Sequence, residues 1–203
     1  MPLKDLLWAC PSCHAIESID QSGRCARCRA RFRRGRGARI RFEREGAIAE
    51  ELDAPAWLAR LPWPEIDGEG SALPTGLRPP FRATVSLRRA VEERALRSAG
   101  DYLGRTEIMG PPETGVLRLD EQSLAFSPES GGGWERPLTA LAAIQPASSA
   151  IQLRLRAETV ISARFRTGSV RLWEQRLKFC ARLAWRAAGR GEIVEFQPSI
   201  RSR

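Results

Sequence analysis

Histidine and tyrosine each occur once in these 203 residues, and the 33 basic residues include only two lysines, Lys4 and Lys178. With His14 as the sole imidazole, serine–histidine and cysteine–histidine relays have one place to form, beside Cys13. No Gly-x-Gly-x-x-Gly or Gly-x-x-x-x-Gly-Lys phosphate loop is present, and no acid, base and nucleophile gather in one motif. The chain is therefore read as non-enzymatic. Long apolar runs are missing too: nothing approaches the eighteen or so residues that span a bilayer. Leu7-Trp8-Ala9-Cys10 has the look of a lipoprotein cleavage box, but the apolar stretch before it is too short for a signal-peptide core. A cytoplasmic chain with reduced cysteines is expected.

What is present begins with Cys10-Pro11-Ser12-Cys13 and Cys25-Ala26-Arg27-Cys28. Each Cys-x-x-Cys turn puts two sulfurs on one side. The eleven residues between the pairs let the chain fold back and bring four thiolates to one tetrahedral ion, at Zn–S distances of about 2.3 Å. Four protein ligands leave no open position, so Cys10, Cys13, Cys25 and Cys28 are expected to hold one structural Zn(2+) that folds the chain and does no chemistry. Between the pairs, residues 14–20 alternate as a short strand and Gln21-Ser22-Gly23 supplies the turn. On these cysteines and the strand–turn pattern between them, about residues 6 to 34 resemble the zinc-ribbon family. His14 reads as a solvent-facing knuckle residue, and the fifth cysteine, Cys180, as core.

The net charge of +9 is local. Residues 24–44 hold ten arginines against the single acid Glu43, which equals the charge of the whole chain and leaves the remainder neutral. The preference for arginine over lysine can follow from genomic base composition; the clustering is the informative part. Arg39 and Arg41 alternate with Ile40 and Phe42 as a strand with one cationic and one apolar face. Arg31, Arg33, Arg34, Arg36, Arg39, Arg41 and Arg44 are the candidate anion-binding residues, along phosphates of lipid head groups or of a nucleic acid. A solvated edge that offsets the charge of a zinc tetrathiolate is the alternative.

Residues 46–80 read as a Pro/Gly-rich linker holding one short helix, capped by Asp53, with Pro55 in its first turn, Trp57, Leu58 and Leu61 on one face, and Pro62 as its stop. With Trp63 it makes an aromatic hook. Leu87 to Tyr102 carries helical spacing through Ala90, Val91, Ala95 and Leu96. Short strands are expected over residues 106–109, 115–119, 123–127, 138–144, 150–155 and 159–165, separated by Gly, Pro and acidic breaks. From Ser169 to Ala188 the period changes: Val170, Trp173, Leu177, Cys180, Ala181 and Ala184 make one helical face, and Gly189 ends it. Glu192 to Phe196 reads as one more strand before the basic tail Arg201-Ser202-Arg203.

Gly115-Val116-Leu117-Arg118-Leu119, Ser123-Leu124-Ala125-Phe126, Pro137-Leu138, Ile144, Ile151-Gln152-Leu153-Arg154-Leu155, the run from Val160 to Phe165 and the Trp173 helix together resemble the GRAM/PH-like family over about residues 105 to 188. The resemblance implies a bent antiparallel sheet closed by a C-terminal helix, in a module that binds phosphoinositides, other lipids or protein segments. The turn expected at Glu113-Thr114 lacks a basic pair. The resulting expectation is a mainly β protein with α, in four parts: zinc ribbon with basic strand (1–45), linker (46–80), GRAM/PH-like domain (81–190) and tail (191–203).

Glycerolipid acyltransferases carry a His-x-x-x-x-Asp pair; here Ile19 stands where the acid is needed and Asp20 comes one place late, so the chain is at most accessory to a lipid-metabolising enzyme. Two binding roles stay open. One is an adaptor for an anionic membrane surface or a protein partner, peripheral at the inner face of the membrane. The other is a nucleic-acid-associated zinc-ribbon protein using Arg24 to Arg44.

Overall fold

Alternation of apolar and polar side chains with a period of two, the mark of a strand with one buried face, runs through most of the chain and yields a mainly β protein with one long helix. The computed structural model describes residues 3–37, 39–44, 46–61, 78–98, 101–147, 149–156 and 158–190. Pro62, the Trp63 hook, the strand expected over Glu192 to Phe196 and the tail Arg201-Ser202-Arg203 lie outside the described residues. Two compact units divide the chain: Met1–Arg78 with Gly168–Trp173, and Pro79–Thr167 with Glu174–Arg203.

The first unit opens with a helical turn, α1 (Leu3–Leu6), passes through both cysteine turns and continues as an antiparallel sheet of β1 (Arg31–Arg34), β2 (Arg39–Arg44) and β3 (Ala47–Asp53), in that order. Phe32 pairs with Phe42 and Arg34 with Ile40, which puts Phe32, Ile40 and Phe42 on one face. Trp57, on the short helix α2 (Ala54–Leu58), meets that face edge-on to Phe32 with centroids 5.5 Å apart. Its indole N–H donates to the Ile40 carbonyl at 2.9 Å. Asp53 caps α2 by accepting the Ala56 N–H at 2.8 Å. Leu7, Ile19, Phe32, Ile40 and Trp57 are buried in one cluster with Cys10 and Cys25; Trp8, Ala9, Leu61 and Leu172 form another. Gly23 is required where it stands: at φ +80° it tolerates what L side chains resist, and an added Cβ would fall 2.1 Å from the Phe32 carbonyl oxygen.

Two expectations for this unit are corrected. Residues 47–53, read as linker, are β3, because β2 supplies their ladder: Glu51 stands opposite Arg41 and ion-pairs with it, and Asp53 stands opposite Arg39 in the register while its carboxylate caps α2. The strand expected over residues 14–20 shrinks to isolated bridges, Ala9 with Ile16 and Ile19 with Cys25. His14 and Glu17 take left-handed φ of 59° and 50°, which no continuous ladder accommodates.

The second unit comprises β4 (Phe81–Ser98), β5 (Asp101–Met109), β6 (Glu113–Leu119), β7 (Ser123–Pro128), β8 (Trp134–Pro137), a 3-10 turn at Leu138–Ala140, β9 (Leu141–Pro146), β10 (Ala150–Leu155) and β11 (Val160–Phe165), then α3 (Val170–Ala187), whose first turn counts with the first unit. Strand order is β8-β7-β6-β4-β11-β10-β9, with antiparallel pairing throughout. This antiparallel sheet followed by a C-terminal helix matches the arrangement expected from the PH-like resemblance. On α3, Leu177, Cys180, Ala181 and Ala184 are buried, as their spacing of three and four residues requires for one apolar stripe. Trp185 donates its indole N–H to the Leu138 carbonyl at 3.3 Å, and the Arg176 guanidinium lies 4.2 Å from the Phe81 ring centroid.

The helix expected over Leu87 to Tyr102 is overturned: the described residues of that span belong to β4 and β5. Phe81, Ala83, Val85 and Leu87 are buried while Arg82 and Arg88 are exposed, so the period of two starts before the helical window and overrides it. Val91, on the face a helix would have buried, is 68% exposed. The first half of β4 pairs with both β6 and β11, and the second half pairs with β5 as a two-stranded arm. Glu113 and Thr114 consequently open β6 and are not turn residues, because the whole β5 hairpin intervenes. The short polar strand β8 was not anticipated, and residues 138–140 form a 3-10 turn before β9.

Replacing Leu177 by Ala is expected to destabilise the protein by about 2–5 kcal/mol, the usual cost of a core leucine. Leu183→Ala, on the 42%-exposed side of the same helix, should cost under about 1 kcal/mol. Urea unfolding of the two variants beside the parent measures the difference; equal losses would mean that α3 does not bury the stripe described.

Candidate metal centre and basic surface

The two cysteine turns are built alike. Cys10 N–H donates to the Ala15 carbonyl at 2.9 Å and His14 N–H to the Cys10 carbonyl at 2.7 Å; Cys25 N–H donates to the Ala30 carbonyl at 2.8 Å and Arg29 N–H to the Cys25 carbonyl at 3.0 Å. His14 and Arg29 hold equivalent left-handed positions, φ 59° and 66°. Within each turn, backbone N–H groups aim at the first sulfur: Ser12 and Cys13 at Cys10, Arg27 and Cys28 at Cys25. The matching strings Cys-Pro-Ser-Cys-His-Ala and Cys-Ala-Arg-Cys-Arg-Ala carry this repeat in the sequence.

The turns bring the four sulfurs together. Cys10 Sγ lies 3.6 Å from Cys28 Sγ, Cys13 Sγ lies 3.7 Å from Cys25 Sγ, and all four are within 4.8 Å of one another. A disulfide would need about 2.05 Å, whereas a tetrahedral ion with 2.3 Å bonds to sulfur has edges of about 3.8 Å. The donor set therefore fits one thiophilic ion with a filled coordination shell. Burial pushes the Cys10 and Cys13 thiols above their ordinary range, against the pull of nearby N–H groups. At Cys25 burial also acts upward, but the Cys28 and Arg27 N–H groups, together with side-chain contacts to Ser18 and Cys28, outweigh it and bring the thiol to about 6. Ser18 was not foreseen. Its Oγ donates to the Ala15 carbonyl at 2.8 Å and lies 3.3 Å from Cys25 Sγ, a contact made only by the fold-back. His14 is exposed, as a knuckle residue whose centre already has four sulfurs should be.

The seven arginines of the basic stretch are dispersed by the sheet. Arg31, Arg33, Arg39 and Arg41 share the face opposite Phe32 and Ile40, but acids share it too: Arg33 pairs with Glu43 and Arg41 with Glu51, each at 3.2 Å. This face is a mixed-charge lattice, which corrects the expectation of a purely cationic one; the acids come from β3 and were assigned to a linker. Arg34, Arg36, Arg39 and Arg44 are exposed and have no ion-pair partner among the described residues.

In the second unit a cleft of about 640 Å³ is lined by Arg82, Arg118, Phe126, Trp134 and Glu135, among others. Arg118 is held by Asp120 at 2.8 Å and Glu135 at 3.6 Å, so the cleft is not a cluster of free cations. Cys180 is buried on α3 and its thiol is pushed up to about 12, chiefly by burial; it is a core residue and not a nucleophile.

No protein-family model matches the chain, and no curated protein matches it. Among solved structures it is similar to the solution structure of the N-terminal PH domain of human ARAP2 protein, at 11% identity, covering 64% of this chain and 98% of that one with a TM-score of 0.36. A likeness of that size adds nothing to the strand order described above.

Metal binding must release the protons that Cys10 and Cys13 retain at neutral pH, so affinity should rise with pH and fall in acid. Calorimetric titration of metal into reduced protein, in two buffers of different ionisation enthalpy, should show about two or more protons released per ion at pH 7. Release of fewer than one would contradict the buried thiol environment.

Proposed function

We propose that the chain is a non-catalytic adaptor, in which a zinc ribbon presents exposed arginines to anionic membrane lipid and a PH-like unit engages lipid or a protein partner. It would work at the inner face of the membrane, accessory to a lipid-metabolising enzyme. Zinc is the ion that suits four thiolates in a closed tetrahedral shell. No helix of the described residues is long and apolar enough to cross a bilayer, so contact with lipid is through the surface.

The carrying observation is the set Arg34, Arg36, Arg39 and Arg44, exposed and without carboxylate partners among the described residues. Lipid is favoured over nucleic acid by the aromatics. Phe32 is buried and Phe42 stacks on it at 5.4 Å, so neither ring of the basic stretch is presented as a platform for a base.

Each basic residue near an anionic membrane contributes about 1 kcal/mol. The triple variant Arg34→Gln/Arg39→Gln/Arg44→Gln should therefore bind phosphatidylserine vesicles roughly a hundredfold more weakly than the parent. Arg33→Gln/Arg41→Gln, which removes side chains already paired with Glu43 and Glu51, should change binding much less. Cosedimentation in low and high salt measures both. A parent that prefers RNA or DNA to lipid at equal salt would replace this reading with the nucleic-acid one.

A further inference from the structure

Arg24, Arg29 and Arg31 line a separate cavity of about 260 Å³ in the first unit, with Glu43 and Gly46. That is below the roughly 300–1,000 Å³ of pockets for drug-sized ligands, so it suits a small group. Arg24 and Arg31 are held opposite one another by an isolated antiparallel bridge, an arrangement in which like charges repel. Arg29 is brought to them by the second cysteine turn. The carboxylate in the lining, Glu43, is already paired with Arg33. Nearby Asp20 spends one oxygen on the Ser22 N–H, the Ser22 hydroxyl and the Arg24 N–H, at 2.8, 2.7 and 3.0 Å. At Gly46 an added Cβ would meet nothing within 4 Å beyond its own chain neighbours.

We propose that Arg24, Arg29 and Arg31 form a pocket for one phosphomonoester dianion. Guanidinium forks match phosphate oxygens in pairs, and an anion between Arg24 and Arg31 turns their repulsion into shared attraction. Arg29 adds a second argument: a non-glycine residue in the left-handed region costs about 1 kcal/mol or more, and glycine would avoid that cost while losing the charge. The inference rests on the reading of the first unit as anion-facing and narrows it to a discrete phosphate group, whether free or on a lipid.

The test uses the intact, metal-loaded chain, with inorganic phosphate titrated at constant ionic strength. Saturable one-site binding is expected, weakened at least about tenfold by Arg31→Gln and by Arg29→Gly, with metal content unchanged. Arg29→Gly suits the backbone, so it should keep or raise thermal stability and separates loss of charge from loss of fold. Arg27→Gln, exposed and outside the lining, should bind phosphate as the parent does. Phosphatidate vesicles preferred over phosphatidylserine at equal surface charge would assign the pocket to a lipid; no preference, with phosphate still bound, would assign it to a soluble phosphate. Absence of saturation, or unaltered binding in both variants, overturns the pocket. Metal loss in Arg29→Gly also overturns it, because the arginine would then serve the thiolate charge. If phosphate fails while Arg34, Arg39 and Arg44 still govern vesicle binding, the pocket is wrong and the adaptor reading stands.

Discussion

Everything in the first unit depends on sulfur being placed where a small core would otherwise have carbon. Cys10 and Cys25 are fully buried and share a cluster with Leu7, Phe32 and Trp57, so the candidate metal centre and the hydrophobic core are one object. The segment of residues 6–34 that carries the cysteine turns is, taken alone, shorter than the roughly 40 residues below which a chain usually needs a metal or disulfide to fold, and four thiols crowded without an ion give little cohesion in return for their desolvation. With an ion, ligand bonds and packing reinforce each other: the second cysteine turn leads within three residues of Cys28 into β1, and β1 delivers Phe32 to the ring cluster. The sheet is thus hung from the four-cysteine cluster.

The second unit depends on a different constraint, the double role of β4. Its first half is central to the sheet, flanked by β6 and β11, and must be apolar on its inner face. Its second half has β5 as its ladder partner, and there Val91 and Arg94 are exposed. One continuous strand therefore changes from core element to projecting arm at the bulge between Ala90 and Glu92.

These two constraints explain what could be read in advance. The cysteine spacing announced that the four sulfurs converge, because a tetrahedral ion fixes which turns could serve it, and α3 announced itself through a stripe of six apolar positions. Most strands of the second unit were legible for the same reason, since each hides alternate residues. The arm was not, because an exposed two-stranded ribbon imposes no period on its side chains, and Ala90, Val91, Ala95 and Leu96 fell by composition into helical spacing. β3 escaped notice because its acids read as solvated, and only the neighbouring strand gives them partners. Ser18 and the Arg24–Arg29–Arg31 cavity depend on contacts made when the chain folds back, which no local pattern encodes.

The near-repeat of the two cysteine turns gives the first unit an approximate local symmetry that its charges do not share. One turn carries Pro11, Ser12 and His14, with no arginine, while its counterpart carries Ala26, Arg27 and Arg29. The two backbones would surround an ion evenly, yet the fixed charges beside them are lopsided, positive on the side of the second turn. A dianionic tetrathiolate formed there would be one end of a dipole, with a built-in direction along which an approaching anion would be drawn to one end of the unit and not the other.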